Sequence, residues 1–462
     1  MSDLIQRFDI LRKASRAAPA PDITERRAWL DALRALVLDN KAEIAAAISS
    51  DFGGRARPET DLLEVVPLIN AIRHARKSLS RWMRDERRHV AITFQPAKAW
   101  VRHEPLGVIG IISPWNYPLL LALGPLTDAL AAGNRAMLKP SDVTPALSEL
   151  LRRLIAHYFK PDEVSLVTGG VELAQAFSSL PFDHLVFTGS TAVGRHVMRA
   201  AAENLTPVTL ELGGKSPAII CPDYSIEKAA KSVSFGKFVN AGQTCIAPDY
   251  ALVPSEKIEA FAHAVIAAAT RGYPAIQAND DYSNVISERH RARLTGAIEA
   301  ARAAGATVLT HPDATSTNGK IAPTVVLNAP ADSLLMTEEI FGPVLPVVGY
   351  RSLDEAIAFV GARDRPLALY CFSSDRRNRD RVLAGATSGG VTVNGTLLHI
   401  AQDDLPFGGI GPSGSGAYHG HEGFRRFSHA RSVHQIGVIN VFERLGPPWG
   451  AMARTTARLL TR

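Results

Sequence analysis

Apolar residues change their spacing along the chain, and the change predicts where helices give way to strands. Across residues 24–38 and 62–81, apolar side chains recur every three or four positions, which is the pattern of amphipathic helices. Residues 90–94 and 99–102 instead alternate apolar and polar positions on either side of Gln95, which predicts a hairpin of two short strands. The chain therefore begins with a helical region that a small β-structure follows.

From residue 108 onward, short β-rich runs alternate with helical ones. Strands are predicted at 108–113, 135–139, 164–167, 184–188 and 208–212, and again at 216–221, 251–253, 307–309, 324–327, 344–350, 367–373 and 390–393. The helices of the first series are predicted at 119–132, 145–158, 171–179 and 192–202. This alternation indicates an α/β fold with parallel, doubly wound sheets, whose ligands bind beyond the carboxyl ends of the strands.

Two later segments complete the pattern. The glycine-rich run 407–416 is predicted to be loop, because its many glycines and its proline do not sustain a regular element. Residues 432–441 are predicted to form one further strand.

The composition is that of a multidomain globular enzyme. At 462 residues, the chain is too long for a single core, and two or three domains are expected. The hydrophobic fraction of 46% and the charged fraction of 21% are ordinary values. The net charge of +6 is spread along the chain, without a basic stripe that interleaves aromatic residues, so a nucleic acid is not an expected partner.

The cysteines and the apolar stretches indicate the compartment. Cys221, Cys245 and Cys371 are too few for a disulfide framework, which favours a reducing compartment, and the cytoplasm is the expected location. Cys221 and Cys371 lie in apolar runs and are predicted to be core residues. The longest apolar stretch, 119–132, is interrupted by glycine, proline and aspartate, so no integral membrane segment is expected.

One thiol and one carboxylate carry the most informative chemistry. Cys245 lies in the segment 240–250 (NAGQTCIAPDY), and Glu211 ends a predicted strand in the segment 211–215 (ELGGK). A thiol can attack a carbonyl carbon, and a carboxylate can then activate water. An isolated cysteine is more often a buried structural residue, but the Gly-Gln-Thr before Cys245 is poor core material. The thiol is therefore predicted at the end of an element, where a helix N-terminus would favour its thiolate.

Three further segments follow predicted strands of the first series. Asn116 lies between two prolines in the segment 113–118, so its amide could be a preorganised oxyanion donor, although it could also cap the next helix. Lys139 and Asp142 could bind ribose or phosphate, or form an ordinary charged turn. The turn at 187–194 opens a helix whose N–H groups suit a pyrophosphate, but such turns are also common without a ligand.

A pair of carboxylates and a group of histidines lie in later segments of the chain. Residues 337–343 (TEEIFGP) place two carboxylates before an aromatic ring, so one carboxylate could hold sugar hydroxyls while Phe341 packs near a flat ring; the alternative is a charged helix end. The histidines at 419–422, with His429 and His434, lack the spacing and the cysteine support of a metal site, so no metal is expected.

In their order along the chain, these segments resemble the aldehyde dehydrogenase superfamily. The resemblance covers roughly residues 20 to 440 and depends on the series 114–118, 138–142, 187–194, 211–215, 242–245, 338–343 and 406–409. The segments 245–250 and 417–420, with the short N-terminal region, point to the class 3 branch and, within it, to enzymes similar to coniferyl aldehyde dehydrogenases.

The resemblance implies roles for individual residues. Cys245 matches the nucleophile that forms a thiohemiacetal and then a thioester, Glu211 matches the base that activates the hydrolytic water, and Asn116 matches an oxyanion donor beside the Cys245 backbone N–H. The implied cofactor-binding residues are Lys139, Asp142, Gly189, Ser190, Gly194, Glu339 and Phe341. The implied substrate pocket includes Trp115, Tyr117, Ile246, His399 and Phe407.

The implied activity is NAD(P)-dependent oxidation of an aldehyde to a carboxylic acid. The substrate would be aromatic or medium- to long-chain aliphatic, with coniferyl aldehyde among the candidates. Asp142 stands where glutamate is usual, and its charge would repel a 2′-phosphate, which favours NAD while leaving NADP as an alternative. Two other functions stay open: an acylating enzyme that passes the thioester to coenzyme A, and a catalytically silent binding protein.

The implied fold is α/β in three parts. A doubly wound, parallel-sheet cofactor-binding domain would take residues 1–87 and 104–212, and an α/β catalytic domain would take 213–412. A small bridging β-sheet would come from 88–103 and 424–441. In relatives that sheet reaches another subunit, so the resemblance also implies a homodimer.

Overall fold

The N-terminal region is helical, as its apolar spacing predicts. A computed structural model describes residues 2–18, 20–313 and 319–461. Its first helices are Ser2–Ala17, Ile23–Asp39, Lys41–Phe52, Arg57–Thr60 and Val66–Trp82, and a π-helical turn, Asp61–Val65, precedes the last. Apolar side chains such as Leu33 and Ile72 are fully buried. The Asp22 side chain accepts a hydrogen bond from the Glu25 N–H and caps the second helix.

The first sheet is doubly wound and mainly parallel, which confirms the predicted fold class. Its strands are ordered Gly414–Ser415, Val208–Glu211, His184–Thr188, Val108–Ile112, Arg135–Lys139 and Val164–Leu166. All of these strands except Gly414–Ser415 are parallel to their neighbours. The helices between them are Leu120–Ala131, Pro145–Tyr158, Val171–Ser178 and Thr191–Ala202.

The glycine-rich segment departs from the predicted loop at two residues. Gly414 and Ser415 pair antiparallel with Glu211 and Leu210 at the edge of the first sheet. The pairing requires glycine, because Gly414 has a φ of 152° and a Cβ atom there would overlap the Leu210 carbonyl oxygen. This contact holds the end of the strand that carries Glu211.

The second sheet contains each strand predicted between residues 216 and 393. Its order is Thr307–Thr310, Thr324–Leu327, Val344–Tyr350, Tyr250–Pro254, Pro217–Ile220, Ala368–Phe372 and Gly390–Val393. Thr307–Thr310 runs antiparallel to its neighbour, and the other described strands are parallel. The accompanying helices are Ile226–Phe238, Ile258–Gly272, Glu288–Ala303, Leu334–Thr337, Leu353–Gly361 and Arg376–Gly385.

A third, antiparallel sheet joins Glu86–Arg88, Lys98–Pro105 and Ser428–Gln435. The small sheet is therefore present, but the strand predicted at 90–94 is wrong. Ile92–Phe94 form a 3₁₀ turn, and the chain pairs earlier, at Glu86–Arg88. Ile92 is 85% exposed, so the alternating pattern there marked surface positions and not a buried strand face.

The strand predicted at 432–441 is also wrong in its limits, since it begins at Ser428 and ends at Gln435. Beyond it Gly437 packs closely against Pro96, and the short helix Val441–Arg444 carries Phe442 onto Phe94, with ring centroids 4.8 Å apart. Contacts between segments distant in sequence thus replace the expected pairing. The last helices are Gly420–Arg426 and Ala451–Leu460. No helix in the described ranges is long and apolar enough to cross a membrane.

The sheets do not by themselves set domain boundaries. The division into 1–87 with 104–212, 213–412, and 88–103 with 424–441 therefore stays a prediction.

A buried ion pair fastens the N-terminal helices to the first sheet. Arg55 Nη1 lies 2.8 Å from Glu64 Oε1, and both side chains are fully buried. The other oxygen of Glu64 accepts hydrogen bonds from the N–H groups of Leu119 and Leu120, while Arg55 donates to the Asn116 carbonyl. Burial raises the pKa of Glu64, and the Arg55 charge and the two N–H groups oppose that rise. The pair therefore positions the loop that contains Asn116.

Substitution of Glu64 should test how much the fold depends on this pair. Glu64→Gln keeps the shape but removes the carboxylate that is paired with the buried Arg55, so we expect it to lower the free energy of unfolding by about 3 kcal/mol. Urea denaturation followed by circular dichroism measures the loss. Asp61→Asn is the matched control, because its pair with Arg57 lies on the surface at 3.6 Å and should contribute less than about 1 kcal/mol. Equal losses in both variants would contradict the expectation.

Candidate active site

The carboxyl ends of neighbouring strands in the first sheet border one cavity of about 240 Å³. Glu211 ends the strand Val208–Glu211, and Cys245 reaches the cavity from the turn before the strand Tyr250–Pro254. The thiol and the carboxylate, distant in sequence, thus share one cavity. The residues predicted from the sequence that line it are Trp115, Asn116, Gly189, Ser190, Glu211, Cys245, Glu339 and Phe341.

The Cys245 turn is held in an uncommon backbone conformation. Asn240 and Ala241 have φ values of 51° and 50°, and Gly242 has 74°. A Cβ atom at Gly242 would overlap the backbone of Gly342, so only glycine fits there. Left-handed conformations at residues other than glycine cost free energy and persist where surrounding contacts determine them.

Those contacts come from the loop that contains Asn116. Asn240 Nδ2 donates to the Asn116 carbonyl at 3.0 Å and to the Gln243 carbonyl at 3.2 Å. Asn116 Nδ2 donates to the Gln243 carbonyl at 3.1 Å. Glu59 accepts a hydrogen bond from the Asn240 N–H and another from Ser283 Oγ. The two loops are therefore fastened to each other directly.

Asn116 is buried and does not cap the following helix. The N-cap residue of Leu120–Ala131 makes no side-chain cap, and it is the Glu64 carboxylate that accepts from the N–H groups of Leu119 and Leu120. Because an amide nitrogen has two hydrogens and the hydrogen bond to Gln243 uses one, the other can serve a ligand in the cavity. This geometry therefore disfavours the alternative that Asn116 caps the following helix.

The thiol of Cys245 lies between a 3₁₀ turn that ends at Gly242 and the strand that begins at Tyr250, so no helix N-terminus favours its thiolate. A turn closed by the Ala247 N–H and the Thr244 carbonyl leads instead toward a strand. Burial, with smaller contributions from the Glu339 and Glu211 carboxylates, raises the pKa of Cys245 to about 12. The N–H groups of Cys245 and Ile246 act in the opposite direction. At neutral pH the thiol of the free protein is therefore protonated.

Glu211 is 2% exposed, and neither of its carboxylate oxygens has a hydrogen-bond partner among the described residues. Burial raises its pKa well above the ordinary value, and the nearby Arg426 opposes the rise. The Arg426 guanidinium is engaged with the Thr209 hydroxyl and the Val208 carbonyl and forms no salt bridge with Glu211. A carboxylate in this state can hold and deprotonate a water molecule.

Glu339 and the aromatic rings form the opposite wall. The Glu339 carboxylate lies against Gly213, and the Gly214 N–H donates to it, but its Oε1 has no partner in the described chain. Burial and the Asp249 carboxylate raise the pKa of Glu339 to about 8. The Trp115 ring meets the Phe341 ring edge to face at 5.3 Å.

Sequence reasoning missed two residues of this cavity, His290 and Arg293. Both line it from the helix Glu288–Ala303, and the His290 ring lies 5.3 Å from the Trp115 ring. Their helix is separated from the motifs in sequence, and its pattern is that of an ordinary amphipathic helix. No local signal could have identified them.

The remaining predicted cofactor residues lie outside this cavity lining. Lys139 is buried at the end of its strand, with Nζ 3.9 Å from Asp142 Oδ1, and burial lowers its pKa. Ser190 does line the cavity, and its Oγ also caps the helix Thr191–Ala202 by accepting from the Val193 N–H. Gly194 is a packing position, because a Cβ atom there would approach the Leu212 side chain to 2.8 Å.

Of the predicted substrate-pocket residues, Trp115 alone lines the cavity of Cys245. Tyr117 is buried with its hydroxyl 2.7 Å from Thr244 Oγ1, and Ile246 is also buried. His399 stacks on Phe407 with ring centroids 5.9 Å apart, and Phe407 stacks on His419 at 5.2 Å.

His419 leads to a second cavity of about 230 Å³, which is mainly apolar. Its lining includes Leu63, Val66, Leu121, Phe235, Leu398 and Ile400. Tyr418 also lines it, and Tyr418 is close enough to Glu211 and Cys245 that their charges, after burial, raise the pKa of its hydroxyl. Tyr418 therefore places the second cavity within electrostatic range of the same reactive groups.

Comparisons with known proteins agree with this geometry. Residues 3–433 match the sequence profile described as "Aldehyde dehydrogenase family". A Pseudomonas aeruginosa protein named "Probable coniferyl aldehyde dehydrogenase" is 51% identical over 95% of this chain and 92% of its own length. The mouse "Aldehyde dehydrogenase, dimeric NADP-preferring" is 39% identical over 94% of each chain.

Solved structures share the whole fold. The substrate-bound Staphylococcus aureus AldH has a TM-score of 0.93 and 37% identity, covering 98% of this chain and 99% of its own. A Mycobacterium tuberculosis aldehyde dehydrogenase complexed with NAD⁺ has a TM-score of 0.81 and 30% identity, over 92% and 89% of the two chains. With the profile, the relatives and the fold in agreement, this chain belongs to the aldehyde dehydrogenase family.

Proposed function

We propose that this aldehyde dehydrogenase converts an aldehyde to a carboxylic acid with NAD(P) as the oxidant, through a thioester on Cys245 that Glu211-activated water hydrolyses. The observation that carries the proposal is that the Cys245 thiol and the unpartnered Glu211 carboxylate line one cavity. Asn116 lines it too, so a nucleophile, a base and an amide donor surround the position of one carbonyl group.

Each step assigns one task to one residue. Glu211 takes the proton of the Cys245 thiol and passes it to solvent, and the thiolate forms a C–S bond with the aldehyde carbon. The Asn116 amide and the Cys245 N–H stabilise the negative oxygen that results. Loss of a hydride from that carbon leaves a thioester. Glu211 then takes a proton from water as the water attacks the thioester, the C–S bond breaks, and the acid and the thiolate are released.

The residues around the cavity fit a nicotinamide cofactor. Such a cofactor, when bound, accepts the hydride that leaves the aldehyde carbon. Glu339 keeps one carboxylate oxygen without a partner in the described chain, which suits a ribose hydroxyl, and Phe341 lies beside it. Gly189 and Ser190 stand at the start of the helix Thr191–Ala202, whose N–H groups suit a pyrophosphate. Lys139 and Asp142 would contact the adenosine ribose.

For the preference between the two cofactors, we propose NAD first and NADP as the alternative. The exposed Asp142 carboxylate would repel a 2′-phosphate, whereas Lys139 beside it would attract one. The Mycobacterium tuberculosis relative is complexed with NAD⁺, and the mouse relative is NADP-preferring, so the family accommodates both.

For the substrate, we propose an aromatic or a medium- to long-chain aliphatic aldehyde that occupies the second cavity. Its lining is mainly apolar, which favours an apolar body behind the carbonyl. The name of the Pseudomonas aeruginosa relative makes coniferyl aldehyde a candidate. An acyl transfer to coenzyme A is disfavoured, because an unpartnered Glu211 would direct water onto the thioester.

For the assembly, we propose a homodimer. The strand Ser428–Gln435 lies at the edge of the third sheet with most of its residues exposed, so its outer backbone groups are available to a second copy. Exposed apolar side chains on the C-terminal segment, among them Val438 and Trp449, would be covered there.

Replacement of the thiol should abolish turnover. For Cys245→Ala we expect kcat to fall by at least about 1000-fold, because no other group in the cavity can carry the thioester. Reduced-cofactor absorbance with benzaldehyde or hexanal measures the rate. Cys221→Ala, a buried core cysteine, is the control and should retain turnover. Near-full activity of Cys245→Ala would end the proposal.

Replacement of the base should stall the second half of the reaction. Glu211→Gln should still release about one reduced cofactor per active site in a burst, and its steady-state rate should fall by at least about 100-fold. Intact-mass spectrometry should detect the acylated protein. The control is Glu338→Gln, an exposed neighbour of the cavity wall. If the steady state of Glu211→Gln equals that of the unmodified protein, Glu211 is not the base.

Alkylation of Cys245 in the free protein should accelerate steadily from pH 7 to pH 10. The pKa of about 12 keeps most of the thiol protonated over this range, and the thiolate is the reactive form. Glu339→Gln should increase the rate above about pH 8, where the ionised Glu339 raises the thiol pKa, and should change little at pH 6. Iodoacetamide labelling of the Cys245 peptide, quantified by mass spectrometry, measures both effects. A plateau already reached by pH 8 would contradict them.

A further inference from the structure

The second cavity is mainly apolar, and Asp128 is the most deeply buried of its charged or polar lining residues, which besides Tyr418 are Asn70, His74, Asp128, Asp403 and His419. Asp128 lies on the helix Leu120–Ala131, among residues that are otherwise small or apolar, and is 4% exposed. Burying a carboxyl group is costly unless hydrogen bonds or a counter-charge compensate it. Because its burial costs free energy, we expect the Asp128 carboxyl group either to stabilise the fold or to bind a ligand.

Part of the compensation comes from the chain itself. Asp128 Oδ2 accepts a hydrogen bond from the His419 N–H at 3.0 Å, and the Gly420 N–H also acts on the carboxyl group. A Cβ atom at Gly423 would overlap Oδ2, so this oxygen is enclosed by the helix Gly420–Arg426. One oxygen of Asp128 is therefore committed to the protein.

No basic side chain of the described ranges supplies a counter-charge for the Asp128 carboxyl group. Within the described ranges, Asp128 forms no ion pair and receives no hydrogen bond from a side chain. Burial raises its pKa to about 8, so near neutral pH the group keeps a proton that it can donate. Burial lowers the pKa of His419 to about 4, so this imidazole is neutral and supplies no counter-charge.

Asp128 and the reactive groups of the first cavity lie near one common residue, Tyr418. Tyr418 lines the second cavity and is within electrostatic range of Asp128, Glu211 and Cys245 together. An aldehyde that presents its carbonyl to Cys245 would lie along Tyr418 with its remote end near Asp128. The remaining lining, such as Leu121 and Phe235, suits a flat apolar body between the two ends.

We propose that Asp128 recognises a hydroxyl group at the end of the substrate remote from its carbonyl, so that the preferred substrates are hydroxylated aromatic aldehydes. The inference rests on the proposed function and specifies its substrate class. A buried polar group in an apolar pocket discriminates strongly, because an analogue that lacks the hydroxyl leaves that group without a partner. Asp128 is thus a specificity-determining residue that also caps a helix.

The test compares 4-hydroxycinnamaldehyde with 4-methylcinnamaldehyde, which has nearly the same shape and lacks the hydroxyl. The unmodified protein should favour the hydroxylated substrate in kcat/KM by at least about tenfold. Asp128→Leu should bring the ratio of the two kcat/KM values close to one. Asp128→Asn keeps an oxygen for the His419 N–H, so it preserves the helix cap and should still lower the ratio by at least about threefold.

A matched control and a binding measurement distinguish recognition of the substrate hydroxyl by Asp128 from a purely structural role of this residue. Asp403→Asn removes a carboxylate from the rim of the same cavity, where it is only half-buried, and should leave the ratio unchanged. Calorimetry without cofactor should show that 4-hydroxycinnamate binds more tightly than 4-methylcinnamate and that Asp128→Asn reduces this difference.

The outcomes are distinguishable. A ratio near one in the unmodified protein, or equal losses on both substrates in Asp128→Asn, overturns the inference and leaves Asp128 as a helix cap, while aldehyde oxidation itself stands. Absence of oxidation with every aldehyde and both cofactors overturns the proposed function, and this inference falls with it.

Discussion

The site depends on the hydrogen bonds that fasten the Cys245 turn to the loop of Asn116. Asn240 donates to the Asn116 carbonyl, and Asn116 and Asn240 both donate to the Gln243 carbonyl. These bonds hold Asn240 and Ala241 in left-handed conformations that would be unfavourable in isolation. The loop of Asn116 follows a strand of the first sheet, and the turn of Cys245 precedes a strand of the second. The same contacts therefore join the two sheets and hold the Cys245 thiol and the Asn116 amide in a fixed relation.

Uncompensated carboxyl groups determine the electrostatics of the molecule's interior. Glu211, Glu339 and Asp128 are each buried or half-buried without a salt bridge in the described chain, and burial raises the pKa of each. Arg55 and Glu64 show the contrasting arrangement, in which a buried pair satisfies itself and orders the fold. Buried carboxyl groups left without a counter-charge lower stability, and they are the ones that can interact with water, a cofactor or a substrate.

One cavity is lined by the reactive thiol and a second lies within electrostatic range of it, and the two linings differ in chemistry. The first gathers strand ends, a helix N-terminus and the Glu339 carboxylate, which suit a polar ligand with hydroxyl and phosphate groups. The second is mainly apolar, with its polar groups gathered around Asp128. Tyr418, in the lining of the second cavity, lies within electrostatic range of Cys245 and Glu211 in the first.

The amino-acid sequence alone determined the order of strands and helices, the parallel sheets and the identity of Cys245, Glu211 and Asn116 as candidates, because local periodicity and short motifs carry that information. It misplaced the strands at 90–94 and 432–441, where exposed residues alternated and a contact between Phe94 and Phe442 decided the pairing. It left open whether a helix N-terminus stands behind Cys245, and it missed His290, Arg293 and the buried setting of Asp128. Only tertiary structure could decide these points, because pKa values and cavity walls depend on groups brought together from distant segments, which no local pattern records.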